Sequence, residues 1–395
     1  MSSVQLKHLK KALAVFLLLA FGPLILAAGI PDSLSSSVIE PGVTHLRIVK
    51  DGPFAINVLV VDLHTQHLQL ESYRPVGLVP TSQQAKRNDR EGHRVIAAIN
   101  ADFFSYGTGW PVNNQIEGGT FVIGTPAQRS HLILDAQGMP HIQRTSFDGW
   151  IRTARGKSFP ISGVNDAHRD SALILHNSFS DTATSSVGSG TPISLRLLNA
   201  PASIGDTLRM QIVASGGLSL AQISPGDAAL WIGKFSAMRL AGETMQVGDT
   251  VLIYLGFHPM IRHALTALGG VGMIVADGKP VSDSVNLGEK TNITFLTARH
   301  PRTFVGFDRD TTRLFLCVVD GRQPSSLGMN FREMADFLLS IGVWNAVNFD
   351  GGGSTTMVVQ GKIVNSPSDK TGERPVANTL QLIKLTPTKA KGEIP

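Results

Sequence analysis

Apolar residues in this chain come in short runs of strand length, each closed by a cluster of Gly, Pro, Asn or Asp. Read this way, the pattern predicts strands over 55–62, 67–73, 95–99, 132–135, 172–176, 207–214, 251–256, 303–307, 313–319, 343–349 and 356–360. One stretch has a different period. Phe331, Met334, Phe337, Leu338 and Ile341 repeat at helical spacing behind Asn330, with Glu333 completing a capping box and Gly342 supplying the stop. That stripe is core, with no chemistry assigned to it. The fold class that follows is α+β: strand-rich mixed sheets with few helices, including one strand–helix–strand unit towards the C-terminus. A run of Ser, Thr and Gly over 178–192 reads as an exposed loop.

The first residues have another character. Lys7, His8, Lys10 and Lys11 precede an apolar run over 12–28 broken only by Gly22 and Pro23, and the small residues Ala27, Ala28 and Gly29 follow. Basic, then apolar, then small is the order of a secretory leader, so 1–29 is expected to be a signal peptide and the protein periplasmic or secreted. Retention of the run as a membrane anchor is the alternative; Pro23 and the short length weigh against it. Residues 30–386 are expected to form a single catalytic domain, and 387–395 a disordered tail.

Composition alters this picture little. The formal charge is +5, but Lys7, Lys10 and Lys11 leave with the leader, so 35 basic residues fall to 32 against 30 acidic, a balance of +2. That is no case for a nucleic-acid partner. The single cysteine, Cys317, lies in an apolar run and cannot form an internal disulfide.

Candidate chemistry gathers at strand ends. The run 313–319 closes in Asp320-Gly321-Arg322, and the run 343–349 closes in Asp350, three glycines and then Ser354, Thr355 and Thr356. A helical crossover between these runs makes them parallel in one sheet, so both Asp-Gly corners emerge at the edge where ligands of such sheets bind. The turn 308–311 makes 303–307 and 313–319 a hairpin, and antiparallel pairing about it brings Arg302 to within about two residues of Asp320. A fourth run, 95–99, ends in Asn100-Ala101-Asp102, which pattern alone cannot join to the cluster. Aspartates suit acid, base or nucleophile at a sugar carbon; arginines hold phosphate oxygens in a fork; consecutive glycines let backbone N–H groups approach an anion. A phosphate leaving group departs as a stable anion, so this set fits cleavage of a glycosyl phosphate.

The segments 100–104, 299–303, 319–322, 327–333 and 348–356 resemble the phosphodiester glycosidase family, and the likeness is read over 56–385. The resemblance implies hydrolysis of the bond between a sugar's anomeric carbon and phosphate, with N-acetylglucosamine one expected sugar and an exopolysaccharide or other envelope polymer one expected source. It nominates Asp320, Asp350 and Asn100 as catalytic, with Asn100 ranked above Asp102, and Arg302, Arg322, Gly352, Ser354 and Thr355 as substrate-binding. The stretch 110–114 departs from the Gly-containing loop of the family, which leaves the shape of the substrate rim open.

Each feature also has a structural reading. An isolated Gly-Gly-Gly-Ser is a flexible turn, an Asp-Gly corner can end any strand, and Arg302 or Arg322 could be a surface ion-pair partner. No P-loop lysine, HExxH or cysteine pair is present. No cofactor is required by the sequence, although oxygen donors in 165–170 and 308–310 leave room for calcium. The expected partner is a sugar-phosphate or polysaccharide substrate. Two other functions stay open: a noncatalytic carbohydrate-binding or exopolysaccharide-export factor, and a glycoside hydrolase acting on neutral polysaccharide.

Overall fold

A computed structural model describes residues 33–181, 190–199, 203–215, 223–239 and 245–386. The leader, the tail over 387–395 and most of the loop expected over 178–192 lie outside these residues. The last three positions of that loop are corrected: Gly190, Thr191 and Pro192 open the strand Gly190–Leu197, paired along the Asp227–Gly233 strand.

Every run read as a strand is one. The elements that carry the site are β1 (Phe54–Asp62), β2 (His93–Asn100), β3 (Arg302–Asp308), β4 (Arg313–Val319), the helix α1 (Phe331–Ser340), β5 (Val343–Asn348) and β6 (Thr379–Leu385). Sequence reading passes over several strands, among them Ser33–Glu40, Val43–Lys50, Pro140–Arg152, Asp227–Gly233, Met273–Ala276 and β6. Pro140–Arg152 shows why: buried positions alternate with Gln143, Arg144 and other polar side chains on its open face, so it has no continuous apolar run.

The eight-stranded sheet runs Ser33–Glu40, Val43–Lys50, β1, β4, β3, β5, Met273–Ala276, Lys279–Pro280, and every pairing in it is antiparallel. Its centre is buried on both faces, which is why β3 and β4 are apolar throughout rather than alternating. On one face α1 lays Phe331, Met334, Phe337 and Leu338 against Val58, Phe315 and Cys317. The Cys317 thiol is buried and its pKa is driven up by desolvation, so it is a core residue. The capping box at the start of α1 is complete, with Asn330 and Glu333 each bonding the other's backbone N–H. On the opposite face, Leu316, Val318, Val347 and Phe349 meet Ile99, Leu380 and Leu382 of the five-stranded sheet that contains β2 and β6.

A second, twelve-stranded sheet carries its own core of Phe121, Ile151, Leu230, Ile253 and Phe257. The bridge between Gly124 and Val164 brings its two ends together, so the sheet nearly closes.

Crossover through α1 makes β4 and β5 parallel, as expected, but they are not neighbours. β3 lies between them, antiparallel to both, with Arg302 opposite Val319 and Phe304 opposite Asn348. The start of β3 is therefore flanked by the ends of β4 and β5, and these three chain segments meet at one sheet edge.

Candidate functional site

Asp350 stands one residue past Phe349 at the end of the β5 run, and three glycines follow because three different neighbours occupy the space a side chain would need. A Cβ on Gly351 would lie 2.5 Å from the Pro301 carbonyl oxygen, and Gly352 takes a left-handed φ of +62°. A Cβ on Gly353 would collide with both Arg374 Nη2 and Asp369 Oδ1. The segment then turns through a short 3₁₀ helix, Gly352–Ser354. The role expected of the glycine N–H groups needs correction at two positions. Gly351 N–H donates to Asp350 Oδ1 at 2.8 Å and Gly352 N–H donates to Pro301 O at 2.8 Å, so neither is turned towards a ligand.

Asn100 joins the site to the second sheet. Its Nδ2 donates to the Asp350 carbonyl at 2.7 Å, while its Oδ1 accepts from Thr303 Oγ1 at 2.7 Å and from Thr356 N–H at 3.0 Å. All three bonds hold backbone or a neighbouring strand, which makes Asn100 a clasp under the site. Asp350 N–H donates to Ala101 O at 2.8 Å, and this places Asp102 beside Asp350.

Asp102, which the sequence ranks below Asn100, is one residue from that bond. It is fully buried, with Oδ1 accepting from Asn113 Nδ2 at 2.6 Å and Oδ2 from Asn113 N–H at 3.0 Å. Desolvation pushes its pKa up to about 7 despite those bonds, and the Asp350 charge adds to the rise. Asp350 itself is partly buried, and desolvation raises its pKa to about 6. Ser354, the Gly351 N–H, Arg374 and Arg302 hold that rise back. The Ser354 hydroxyl lies beside the carboxylate without closing a hydrogen bond of ordinary geometry.

Asp320 lies at the same sheet edge, across the start of β3. Its Oδ1 accepts from Asn365 Nδ2 and Ser366 N–H, each at 3.0 Å, and its carbonyl accepts from Ser326 Oγ. Burial raises its pKa, and Arg47 is the cation that acts on it. The sequence pairs Asp350 with Asp320, and the same Asp320 carboxylate holds the loop over 365–366.

The two arginines differ sharply. Arg302 is 2% exposed, stacked between the Phe295 and Phe331 rings with its guanidinium carbon 4.8 and 5.2 Å from their centroids. Its Nε donates to Met329 O, and its Nη2 to Phe295 O and Ala298 O. Burial lowers its pKa to about 10, helped by Arg322 and opposed by Asp350, so it remains charged and sits within electrostatic reach of that carboxylate. Arg322 is exposed, has a left-handed φ of +59°, and reaches over Gly352. A non-glycine residue in that region is strained, and such strain concentrates at working sites. Arg322 has no carboxylate partner among the described residues; its Nη2 lies 3.3 Å from His300 Nδ1. Burial, with Arg302 and Arg322 near by, lowers the His300 pKa and leaves the imidazole neutral at pH 7.

Behind Asp350, the hydroxyls of Ser354, Thr355 and Thr356 and the Oδ1 of Asn348 are buried and have no hydrogen-bond partner.

Similarity to known proteins falls on this same edge. Residues 238–383 match the profile of the phosphodiester glycosidase family. The family likeness read from the sequence therefore holds, over a shorter span than 56–385. The phosphodiester glycosidase region contains Arg302, Asp320, Arg322, Asp350, the glycines, Asp369 and Arg374, and the structure completes it with Asn100 and Asp102 from outside the matched span. Over 75 residues the chain is 48% identical to the N-acetylglucosamine-1-phosphodiester alpha-N-acetylglucosaminidase of Bos taurus, covering 19% of this chain and 14% of that protein. Over 109 residues it is 38% identical to the SPbeta prophage-derived uncharacterized protein YomE of Bacillus subtilis (strain 168), covering 28% and 16%. The chain thus spans about a seventh of the length of these curated relatives. The solved structure of a hypothetical protein from Synechocystis superposes with a TM-score of 0.67 over 90% of this chain and 64% of its own, at 18% identity, and shares the fold.

The calcium candidates are occupied by their own loops. Asn165 bonds Val122 O and Asn177, Asp166 pairs with Arg169, and Asp308 accepts from Thr312 and Arg313. Among the described residues no three His, Cys, Asp or Glu groups gather as a metal site, and no helix is long and apolar enough to cross a membrane.

Proposed function

We propose that the protein is a hydrolase that cleaves glycosyl phosphodiesters, with an N-acetylglucosaminyl phosphate of an envelope or extracellular glycopolymer as its substrate. The observation that carries this reading is the glycine turn: Asp350 opens it, and the exposed Arg322, without a carboxylate partner among the described residues, reaches over Gly352 within the span that matches the phosphodiester glycosidase profile. Desolvation raises the Asp350 pKa to about 6, which leaves it ionised at neutral pH and able to act as a base. Ionised Asp350 takes a proton from water as the water oxygen bonds the anomeric carbon. The bond from that carbon to the phosphate oxygen breaks, and its electron pair leaves with the phosphomonoester. Arg322 neutralises the leaving charge, so no general acid is required. Arg302 sets the field at Asp350 from behind. Residues 30–386 act as one catalytic unit in this reading, because the site needs groups from both 100–102 and 348–374. The leader-like N-terminus places the enzyme in the periplasm or outside the cell.

Purified protein should release free sugar and phosphomonoester from a synthetic N-acetylglucosaminyl phosphodiester. Arg322→Met should raise KM about 10- to 100-fold with the fold intact, the scale of one lost charge-assisted contact. Equal turnover of a neutral glycoside, with Arg322→Met harmless, would instead establish the neutral-polysaccharide reading. Saccharide binding with no product at all would leave a noncatalytic binding protein.

A further inference from the structure

Next to the glycine turn, three backbone segments pack against one another where two glycines leave no side chain between them. A Cβ on Gly321 would lie 2.7 Å from Pro301 N and 2.9 Å from Gly328 Cα, and one on Gly328, at a φ of +87°, only 2.2 Å from His300 O. His300 and Met329 close the contact by exchanging backbone hydrogen bonds, at 3.3 and 3.0 Å. This packing brings the residue after Gly321 next to the residue before Pro301, so Arg322 and His300 stand together. The same stretch runs along the glycine turn: Pro301 O accepts from Gly352 N–H at 2.8 Å, and Arg322 Nη2 lies 3.1 Å from where a Gly352 Cβ would be.

The contact between the two side chains decides which proton the imidazole keeps. Arg322 Nη2 lies 3.3 Å from His300 Nδ1, and a guanidinium has no lone pair to accept with, so Nδ1 is the acceptor and the ring proton belongs to Nε2. That Nε2–H has no partner among the described residues, and the half-buried ring leaves it open to water. The carboxylates of Glu333 and Asp369 are already engaged: Arg299 Nε reaches both oxygens of Glu333 at 2.9 and 3.1 Å, and Arg374 forks onto Asp369. Arg322 and His300 therefore present donors only, one charged and one neutral. Such a pair suits an oxyanion, whose oxygens only accept, over a sugar hydroxyl, which must also place its own proton.

Resting on the glycosyl phosphodiesterase reading, we propose that His300 is a second phosphate-binding residue: its Nε2–H donates to one phosphate oxygen while the Arg322 guanidinium holds another, and Arg322 locks the tautomer that makes this possible. The sequence does not nominate His300 as a site residue. Heteronuclear NMR of the imidazole nitrogens, with the His300 signals assigned by their loss in His300→Phe, reads the tautomer and the contact without turnover. At neutral pH His300 should be the Nε2–H form, its Nε2 signal should move on addition of inorganic phosphate, and Arg322→Met should release the lock and populate the Nδ1–H form. Calorimetry should show His300→Phe, with an unchanged thermal melt, weakening inorganic phosphate about tenfold, and His300→Gln, whose amide N–H can reach the same oxygen, staying within about threefold of wild type. An Nδ1–H tautomer in the wild type, no phosphate binding by it, or phosphate affinity unchanged in His300→Phe would each overturn the proposal. A phosphodiester turned over with KM unchanged in His300→Phe would do the same and leave the activity standing. If phosphate binds with the expected pattern and no phosphodiester is cleaved, the activity proposed above fails and the binding pair stands.

Discussion

Asp350→Asn should lower kcat on a glycosyl phosphodiester by about 10²- to 10⁴-fold, the range expected for loss of a positioned base, while making the protein more stable above neutral pH. The second half of that expectation follows from the site's electrostatics. Desolvation raises the Asp350 pKa to about 6, above the ordinary carboxylate value of about 4, so the folded protein holds the proton more tightly than the unfolded chain does. The contribution to stability is full below pH 4 and is lost as pH rises through 6; above that, the ionised group strains the fold by roughly 2 to 3 kcal/mol. An amide carries no charge to desolvate. Thermal melts of wild type and Asp350→Asn should coincide near pH 4 and separate in favour of the variant by pH 8. Wild-type kcat/KM should rise through an acid limb near pH 6 as Asp350 ionises. Unchanged kcat in the variant, or a variant less stable at pH 8 than at pH 4 relative to wild type, would rule out Asp350 as the general base.

The largest loss of stability is expected at Arg302. Substituting Met keeps much of the packing between Phe295 and Phe331 but deprives three carbonyls, those of Phe295, Ala298 and Met329, of their donor. Leaving buried acceptors unpaired costs about 1 to 3 kcal/mol each before relaxation, so a loss of about 3 to 5 kcal/mol is expected for Arg302→Met. Urea melts at pH 7.5 would read this directly, and the Asp350 acid limb should move to higher pH because a favourable positive charge has gone. A substrate-contacting arginine would behave in the opposite manner, with KM raised and the melt unchanged. That outcome would restore to Arg302 the direct substrate contact the sequence assigns it.

Both residues show where reading the chain succeeds and where it stops. The strand–helix–strand unit, the capping box on Asn330 and Glu333, and the register that sets Arg302 beside the end of β4 were legible, because hydrophobic period, capping and hairpin turns act over neighbouring residues. Asp350 and its glycines were legible for a related reason: a carboxylate and three glycines directly after an apolar run mark a strand end under unusual crowding.

The partners of those residues were not. The segment that carries Asp102 reaches Asp350 because Ala101 and Asn100 bond across to the end of β5 from a different sheet, a contact spanning 250 residues that no local pattern encodes. Arg374 and Asp369 look like any loop ion pair until the absent side chain of Gly353 admits them. Arg302 and Arg322 are the same residue type near the same edge, and only the tertiary structure shows that the first is buried on three backbone carbonyls and the second exposed. Local sequence thus determined the elements, their caps and the candidate strand ends, because short-range sterics and hydrophobic period control those. Tertiary structure decided which carboxyls are desolvated and which arginine is buried, because desolvation and Coulomb interaction depend on distances between segments far apart in the chain.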